Sequence, residues 1–309
     1  MEKSGIIILN YNTLKETNEC INSIRRYTSV PYHIYIIDND SDDGSGIELE
    51  KIYQNDKDMT VILNRKNGGY SAGNNVGIRQ AIKDSCRYIF IVNSDVELLN
   101  DAFSIMIQTL KEDSRIMMVG PSVMDLNNQE SQLPREKLNF KTFILERHPF
   151  CYIPLFKKKA YRKIDINVDN PTIFRGSVSG CCFCIKSEDF AKIDFLDERE
   201  FLYYEEDTLA YKMDSINKYA AVEKRAKVLH KANISTNKKG NAFVQYHRWL
   251  SVLYMLKRYA KINEGEQFFV ALWNTLTWDI LSIKSKNYRK MRKSFSEKNW
   301  SIVKEKFNE

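Results

Sequence analysis

A chain of 309 residues, 43% hydrophobic and 28% charged, is long enough for one large domain or for a catalytic domain with a C-terminal appendage. That balance excludes a disordered or fibrous chain, and no internal repeat or low-complexity tract interrupts it. The net charge of +7 is uneven: six of those charges fall between Lys284 and Glu309, which hold nine Lys/Arg and three Asp/Glu.

In chain order, Ile6-Ile7-Ile8-Leu9 reads as a buried strand, and Leu14, Ile21 and Ile24 recur behind it at helical spacing. His33 to Ile37 reads as a second strand ending at Asp38, Val61 to Leu63 as a third, and Tyr88 to Val92 as a fourth ending at Asn93-Ser94-Asp95. A helix is expected over Ala72 to Ser85, and another where Phe103, Met106, Ile107 and Leu110 follow an i, i+3, i+4, i+7 pattern. Such alternation predicts an α/β fold with a mostly parallel sheet and helices on both faces. Ligands of such sheets bind beyond the carboxyl ends of the strands. Asn10, Asn12, Asp38, Asn39, Asn64 and Asn93 to Asp95 all stand at those ends, which converges on a site.

Residues 127–175 hold Pro134, Pro149, Pro154, Pro171 and the basic run Lys157-Lys158-Lys159, and read as a long excursion, a lid or an acceptor-side loop. Gly180 to Ile185 is a further strand, after which Ser187 is expected to cap a helix carrying Glu188 and Asp189 in its first turn. Leu209, Met213 and Ile216 mark another helix, and Trp249, Leu253 and Leu256 one more. The six cysteines, Cys20, Cys86, Cys151, Cys181, Cys182 and Cys184, lack paired zinc-site spacing and read as buried reduced thiols. With no secretory signal read at the N-terminus, a cytoplasmic location is expected. Phe268 to Ile283 is apolar, carries Asn274 and Asp279, and is short for a membrane span. With the basic tail behind it, it reads either as a helix lying on anionic lipid at the inner face of the cell membrane or as one packed on the core.

Four polar elements carry chemistry. Asp95, at a strand end, is a candidate ligand for a hard cation shared with diphosphate oxygens, or else part of a helix cap. Asp38 to Ser45 is either an Asx-rich turn or a ligand loop; it is no EF-hand, since from Asp38 the sixth and twelfth positions hold Asp43 and Leu49. Asn67 to Gly77, with Gly68, Gly69 and Gly73, allows close backbone approach to a phosphate or sugar and lacks a Walker ending. Phe201 to Asp207 leads into the Leu209 helix, where the acids Glu205, Glu206 and Asp207 complement the macrodipole or serve as a catalytic base.

In this order, from about residue 4 to 255, the four elements resemble the family 2 glycosyltransferases, inverting enzymes of the GT-A fold, and most of all their rhamnosyltransferase-like branch in bacterial surface-polysaccharide synthesis. The opening IIILNYN matches the family's first strand, Asp38 stands where its motif contacts the nucleotide base, and Asn67 to Gly77 stands for its donor loop. Asn93-Ser94-Asp95 takes the place of D-x-D with Asn for the first acid, and Tyr204-Glu205-Glu206 that of Glu-Asp with a longer second acid; Thr208 stands where a second acid is frequent. Val228-Leu229-His230 matches a late His that completes the metal or diphosphate site.

The resemblance implies a GT-A catalytic domain over residues 1–240, its donor half about 1–125 and its acceptor half about 126–240, then a helical basic extension over 241–309. It implies a UDP- or dTDP-sugar donor, a glycan or lipid-linked glycan acceptor, a Mn²⁺ or Mg²⁺ cofactor, and no nucleic-acid partner. Glu206 is the expected base, with Glu205 in reserve; Asp95 and His230 are the metal residues. Asn10, Asn12, Asp38, Asn67, Gly68, Gly73, Asn74, Asn75 and Ser94 are the expected donor contacts. A nucleotide-sugar pyrophosphorylase is disfavoured because Tyr11-Asn12-Thr13-Leu14 follows the first strand in place of a basic triphosphate loop. The other alternative is a non-catalytic nucleotide- or polysaccharide-binding subunit of a glycan-synthesis complex, disfavoured by the presence of both Asp95 and Glu206.

Overall fold

A computed structural model describes residues 2–147, 164–167, 169–231 and 241–307. Cys151, Pro149, Pro154 and the run Lys157 to Lys159 lie outside the described residues. Strands β1 (Ser4–Asn10), β2 (Tyr32–Asp38), β3 (Met59–Leu63) and β4 (Tyr88–Asn93) form the parallel half of the sheet in the order β3-β2-β1-β4. Isoleucines at 6, 7 and 8 are all fully buried, as a strand covered on both faces requires. The covering helices are α1 (Leu14–Tyr27), α2 (Ser45–Tyr53), α3 (Gly69–Lys83) and α4 (Ala102–Glu112). Ile6, Ile8, Ile36 and Phe90 enter one core and Ile7, Ile37, Ile89 and Ile91 the other, each side chain contributing roughly 2–3 kcal/mol by its removal from water.

The second half of the sheet is mixed. Short β5 (Val96–Leu98) and long β6 (Ile116–Met124) precede four small elements: β7 (Glu130–Ser131), β8 (Arg135–Glu136), α5 (Phe140–Arg147) and β9 (Thr172–Phe174). Then come β10 (Gly176–Ser177), β11 (Cys182–Lys186), α6 (Ser187–Lys192), α7 (Glu205–Ser215) and β12 (Tyr219–His230). β11 inserts antiparallel between β4 and β6, and β12 lies parallel to β6 with β5 on its other edge. Two expectations change here. Ser187 is the first residue of α6, its N–H donating to the Arg87 carbonyl, and Lys186, whose side chain has no oxygen to accept a cap bond, stands at the N-cap. The glycine-rich run is no loop ahead of a helix: α3 begins at Gly69, and Gly73 and Gly77 sit inside it. A Cβ at those positions would lie 2.5 Å from Leu9 Cδ1 and 2.6 Å from Ile7 Cγ2, so the glycines let α3 rest directly on β1.

Three helices close the chain: α8 (Asn241–Arg258), α9 (Glu264–Lys284) and α10 (Lys286–Lys304). A capping box between Asn263 and Glu266 starts α9. Trp278 stacks on Phe295 at 4.1 Å between ring centres, and Asn299 donates to the Ala271 carbonyl at 2.8 Å, so α9 and α10 pack as a pair. Among the described residues no helix is long and apolar enough to cross a membrane. The described cysteines, at 20, 86, 181, 182 and 184, are free and buried.

Candidate functional site

Register alone sets the strand ends in one row. Asn10 pairs with Asp38, Leu9 with Asn93, and antiparallel β11 enters the same edge with Cys182 opposite Val92. Beyond that edge opens a cavity of ≈ 440 Å³, a size suited to a small-molecule ligand. Asn93, Ser94, Asp95 and His230 line it from the strand ends, and Phe201, Tyr203, Glu205 and Glu206 from the segment that starts α7. Residues more than 100 positions apart in the chain thus face one space.

His230 Nε2 lies 3.1 Å from Asp95 Oδ1, and the Gln132 amide contacts the other ring nitrogen at 2.5 Å. Burial works against a charged ring, but the hydrogen bonds to Asp95 and Cys181 outweigh it and raise His230 to about 10. The Lys231 N–H donates to the Asp95 carbonyl at 3.0 Å, which fixes the carboxylate at the end of β4 beside β12. No group of three His, Cys, Asp or Glu side chains is poised to hold a metal among the described residues. Asp95, with His230 once its ring proton is released, would leave a cation positions open for a ligand's own oxygens. Three carboxyls, Asp95, Glu205 and Glu206, line the cavity with no Lys or Arg among its described residues.

Ahead of α7 the backbone is strained. Tyr203 and Tyr204 take φ of +75° and +74°, a region bulky residues avoid at a cost of about 1–3 kcal/mol each. The bend delivers Glu205 and Glu206 at the start of α7, facing the cavity. Glu205 is buried and its Oε1 finds no partner among the described residues. Burial first, and the charge of Glu206 second, push Glu205 up to about 8. Glu206 is half-buried; a Cβ on Gly180 would lie 3.5 Å from its Oε2. At neutral pH the buried Glu205 therefore keeps its proton beside the charge of Glu206.

This asymmetry has a stability consequence. The unfolded Glu205 carboxyl titrates at 4.5 and the folded one near 8, so its favourable contribution is full below 4.5 and is lost as pH rises through 8. Glu205→Gln is expected to flatten that fall and to be more stable than the parent at pH 9 by on the order of 3 kcal/mol, a gain that vanishes at pH 4. Urea unfolding of both proteins at the two pH values checks this; parallel pH profiles would contradict it.

The expected donor contacts divide into two sets. Asn67 and Ser94 line the cavity. Asn39, a strand-end residue, joins them, donating to Asn67 Oδ1 at 3.0 Å and to the Gly69 carbonyl at 3.1 Å. Asn10, Asn12, Asp38, Gly68, Gly73, Asn74 and Asn75 are not among its lining residues. Asn10 donates to Asp38 Oδ1 at 2.7 Å and accepts from Thr13 and Thr17, while Asp38 also receives the N–H and hydroxyl of Ser41. Asn12 bonds Asp42, which ties the β1 turn to the β2 turn. Asn75 bonds both backbone groups of Leu196, and Asn74 donates to the Tyr70 carbonyl, holding α3 in place. Gly68 caps α3, and Gly69, at φ +88°, packs where a Cβ would strike the Phe201 carbonyl. Three lining residues carried no motif signal: Gln132 in the excursion, Ser179, and Phe243 on α8. They reach the cavity through tertiary contacts alone.

A profile of the family described as Glycosyl transferase family 2 matches residues 5–179. The chain is 25% identical over 216 residues to the low-salt glycan biosynthesis hexosyltransferase Agl10 of Haloferax volcanii, covering 69% of this chain and 62% of that protein. It is 27% identical over 119 residues to glycosyltransferase GlyG of Streptococcus pneumoniae, 38% of each. The matches thus span less than two thirds of those relatives. In fold it resembles S. aureus TarS 1–349 in complex with UDP-GlcNAc, at 13% identity and TM-score 0.53, over 87% of this chain and 70% of that one. It also resembles GalNAc-T7 with UDP, GalNAc and Mn²⁺, at 16% identity and TM-score 0.56, over 75% and 43% of the two chains. These likenesses place the sheet and its flanking helices in the GT-A fold.

Proposed function

The chain belongs to glycosyl transferase family 2, and from that premise we propose that it moves a sugar from a UDP- or dTDP-sugar to a hydroxyl of a glycan or lipid-linked glycan, with inversion, in surface-polysaccharide synthesis. One observation carries the reading: Asp95 with His230 and Glu205 with Glu206 line a single cavity at the strand ends. Asp95 and His230 would hold a Mn²⁺ or Mg²⁺, which supplies Lewis-acid neutralisation of the departing diphosphate. Ser94, Asn39 and Asn67 offer hydrogen bonds to the donor. Asn10 and Asp38 lie behind them and hold the turns that present the donor side. Glu206 takes the proton from the attacking hydroxyl, and its neutral neighbour Glu205 leaves that charge undivided. One base and direct attack on the anomeric carbon invert its configuration, with no covalent intermediate. Purified protein mixed with UDP- and dTDP-sugars and short glycan acceptors should release nucleoside diphosphate. Nucleotide binding without release under every pairing would favour the non-catalytic subunit instead.

The proposal extends to a peripheral position on an anionic membrane, with the catalytic domain over residues 1–240 and the helical extension over 241–309 as the docking part. α9 is apolar on two opposite faces: Val270, Asn274 and Trp278 are buried, whereas Leu272, Leu276, Ile280 and Ile283 face outward, the last at 78% exposure. Beside them α10 exposes Lys286, Arg289, Lys290, Arg292, Lys293 and Lys298. Apolar anchors flanked by cations complement an anionic lipid surface. Co-sedimentation with phosphatidylglycerol vesicles, but not with phosphatidylcholine ones, is expected, and Ile280→Glu with Ile283→Glu should weaken it more than about tenfold. Equal sedimentation with both lipids, or self-association through this face without lipid binding, would contradict it.

A further inference from the structure

The apolar wall of the cavity has no part in the chemistry above. Phe201 and Phe243 are half-buried and line it, and His247 stacks on Phe201 at 4.2 Å with the planes 27° apart. Phe243 meets His247 edge-on at 4.6 Å and Phe201 at 6.1 Å, so the three rings form one continuous patch. Burial pushes His247 down to about 4, with the Lys298 charge adding to it, and the patch is uncharged at neutral pH.

The patch is built to stay where it is. The Phe201 carbonyl accepts from Tyr70 N at 2.8 Å, and the Leu202 carbonyl accepts from Ser251 Oγ at 2.9 Å, so α3 grips one side of this loop and α8 the other. Glu205 and Glu206 follow within five positions. Aromatic faces that stay wet in a cavity suit a ligand that is apolar on its flat side and polar at its rim. A pyranose ring is such a ligand, with C–H groups on its faces and hydroxyls at its edge.

Resting on the glycosyltransferase reading, we propose that Phe201 and Phe243, backed by His247, form the platform on which a neutral pyranose of the acceptor stacks while its hydroxyl meets Glu206. The acceptor is assigned here because Phe201 sits on the loop that leads into Glu205 and Glu206, whereas the diphosphate's candidates, Asp95, Ser94 and His230, belong to the turn after β4 and the end of β12. Phe243 also lies on α8, beyond the segment that matches the family profile. A neutral ring is specified because the aromatic patch is uncharged and the group it leads to, Glu206, is a carboxyl, with no Lys or Arg among the described lining residues to pair with an acidic sugar.

Saturation-transfer NMR on the full chain with Mg²⁺ and UDP tests this, using methyl glycosides of glucose, galactose, N-acetylglucosamine, rhamnose and glucuronic acid as probes. Irradiating aromatic protons should saturate the ring C–H protons of at least one neutral glycoside and none of the glucuronide. Phe243→Leu, which keeps apolar volume but removes the ring, should raise that glycoside's Kd about tenfold, and Phe243→Tyr should restore it. UDP affinity, followed by calorimetry, should be the same in all three proteins. UDP binding with no neutral glycoside signal, an unchanged signal in Phe243→Leu, or an equal signal from the glucuronide would overturn the platform. Absence of both UDP and dTDP binding in the parent chain would instead overturn the donor reading beneath it.

Discussion

Glu206→Gln is expected to lower turnover by about 10²–10⁴-fold, the range that a positioned general base contributes, while nucleoside diphosphate affinity stays within about twofold. The expectation follows from how the two adjacent acids differ. Glu205 is buried, its Oε1 has no partner among the described residues, and it is pushed up to about 8, so at neutral pH it is a carboxylic acid. Glu206 faces the cavity more openly, and its negative charge is one of the two causes of that shift. Of the two adjacent acids, a proton leaving an acceptor hydroxyl therefore goes to Glu206 and not to its protonated neighbour. Gln keeps the size and removes the basicity, so binding and chemistry separate in the measurement. If Glu205→Gln is the inactive variant and Glu206→Gln turns over normally, the roles are reversed.

Asp95→Ala is expected to cost at least about 10²-fold in turnover and to take the divalent-cation requirement with it. The carboxylate is buried at the end of β4, His230 stands 3.1 Å away, and no Lys or Arg among the described lining residues can replace a lost cation against a diphosphate. His230 alone cannot compensate, because one imidazole leaves a hard cation without its oxygen anchor. A variant that keeps full activity in the presence of chelator would remove the metal role.

Much of the donor half was readable from the chain, for a physical reason. Strands buried on both faces must be continuous apolar runs, and amphipathic helices must repeat every three to four residues. β1, β2, β4, α1 and α4 follow those constraints and stand where the pattern puts them. The start of α3 was misread because glycine ordinarily breaks helices, whereas here Gly73 and Gly77 are required by the close approach of α3 to β1. Polar residues at strand ends pointed to the correct edge of the sheet but could not separate two duties. Asn39 and Ser94 face the cavity, while Asn10 and Asp38 spend their hydrogen bonds on each other and on the adjoining turns. Gln132 and Phe243 were illegible for a different reason. Each reaches the cavity from a segment with no motif, by packing between elements far apart in sequence.

The arrangement stands or falls on whether diphosphate is gripped through a cation at Asp95. Calorimetric titration of UDP into the parent chain, with Mn²⁺ and again with chelator, addresses that directly, and Asp95→Ala provides the matched control. Tight binding that needs the cation, and is lost in Asp95→Ala, is the expected result. Equal affinity with and without chelator, unchanged in the variant, would contradict it.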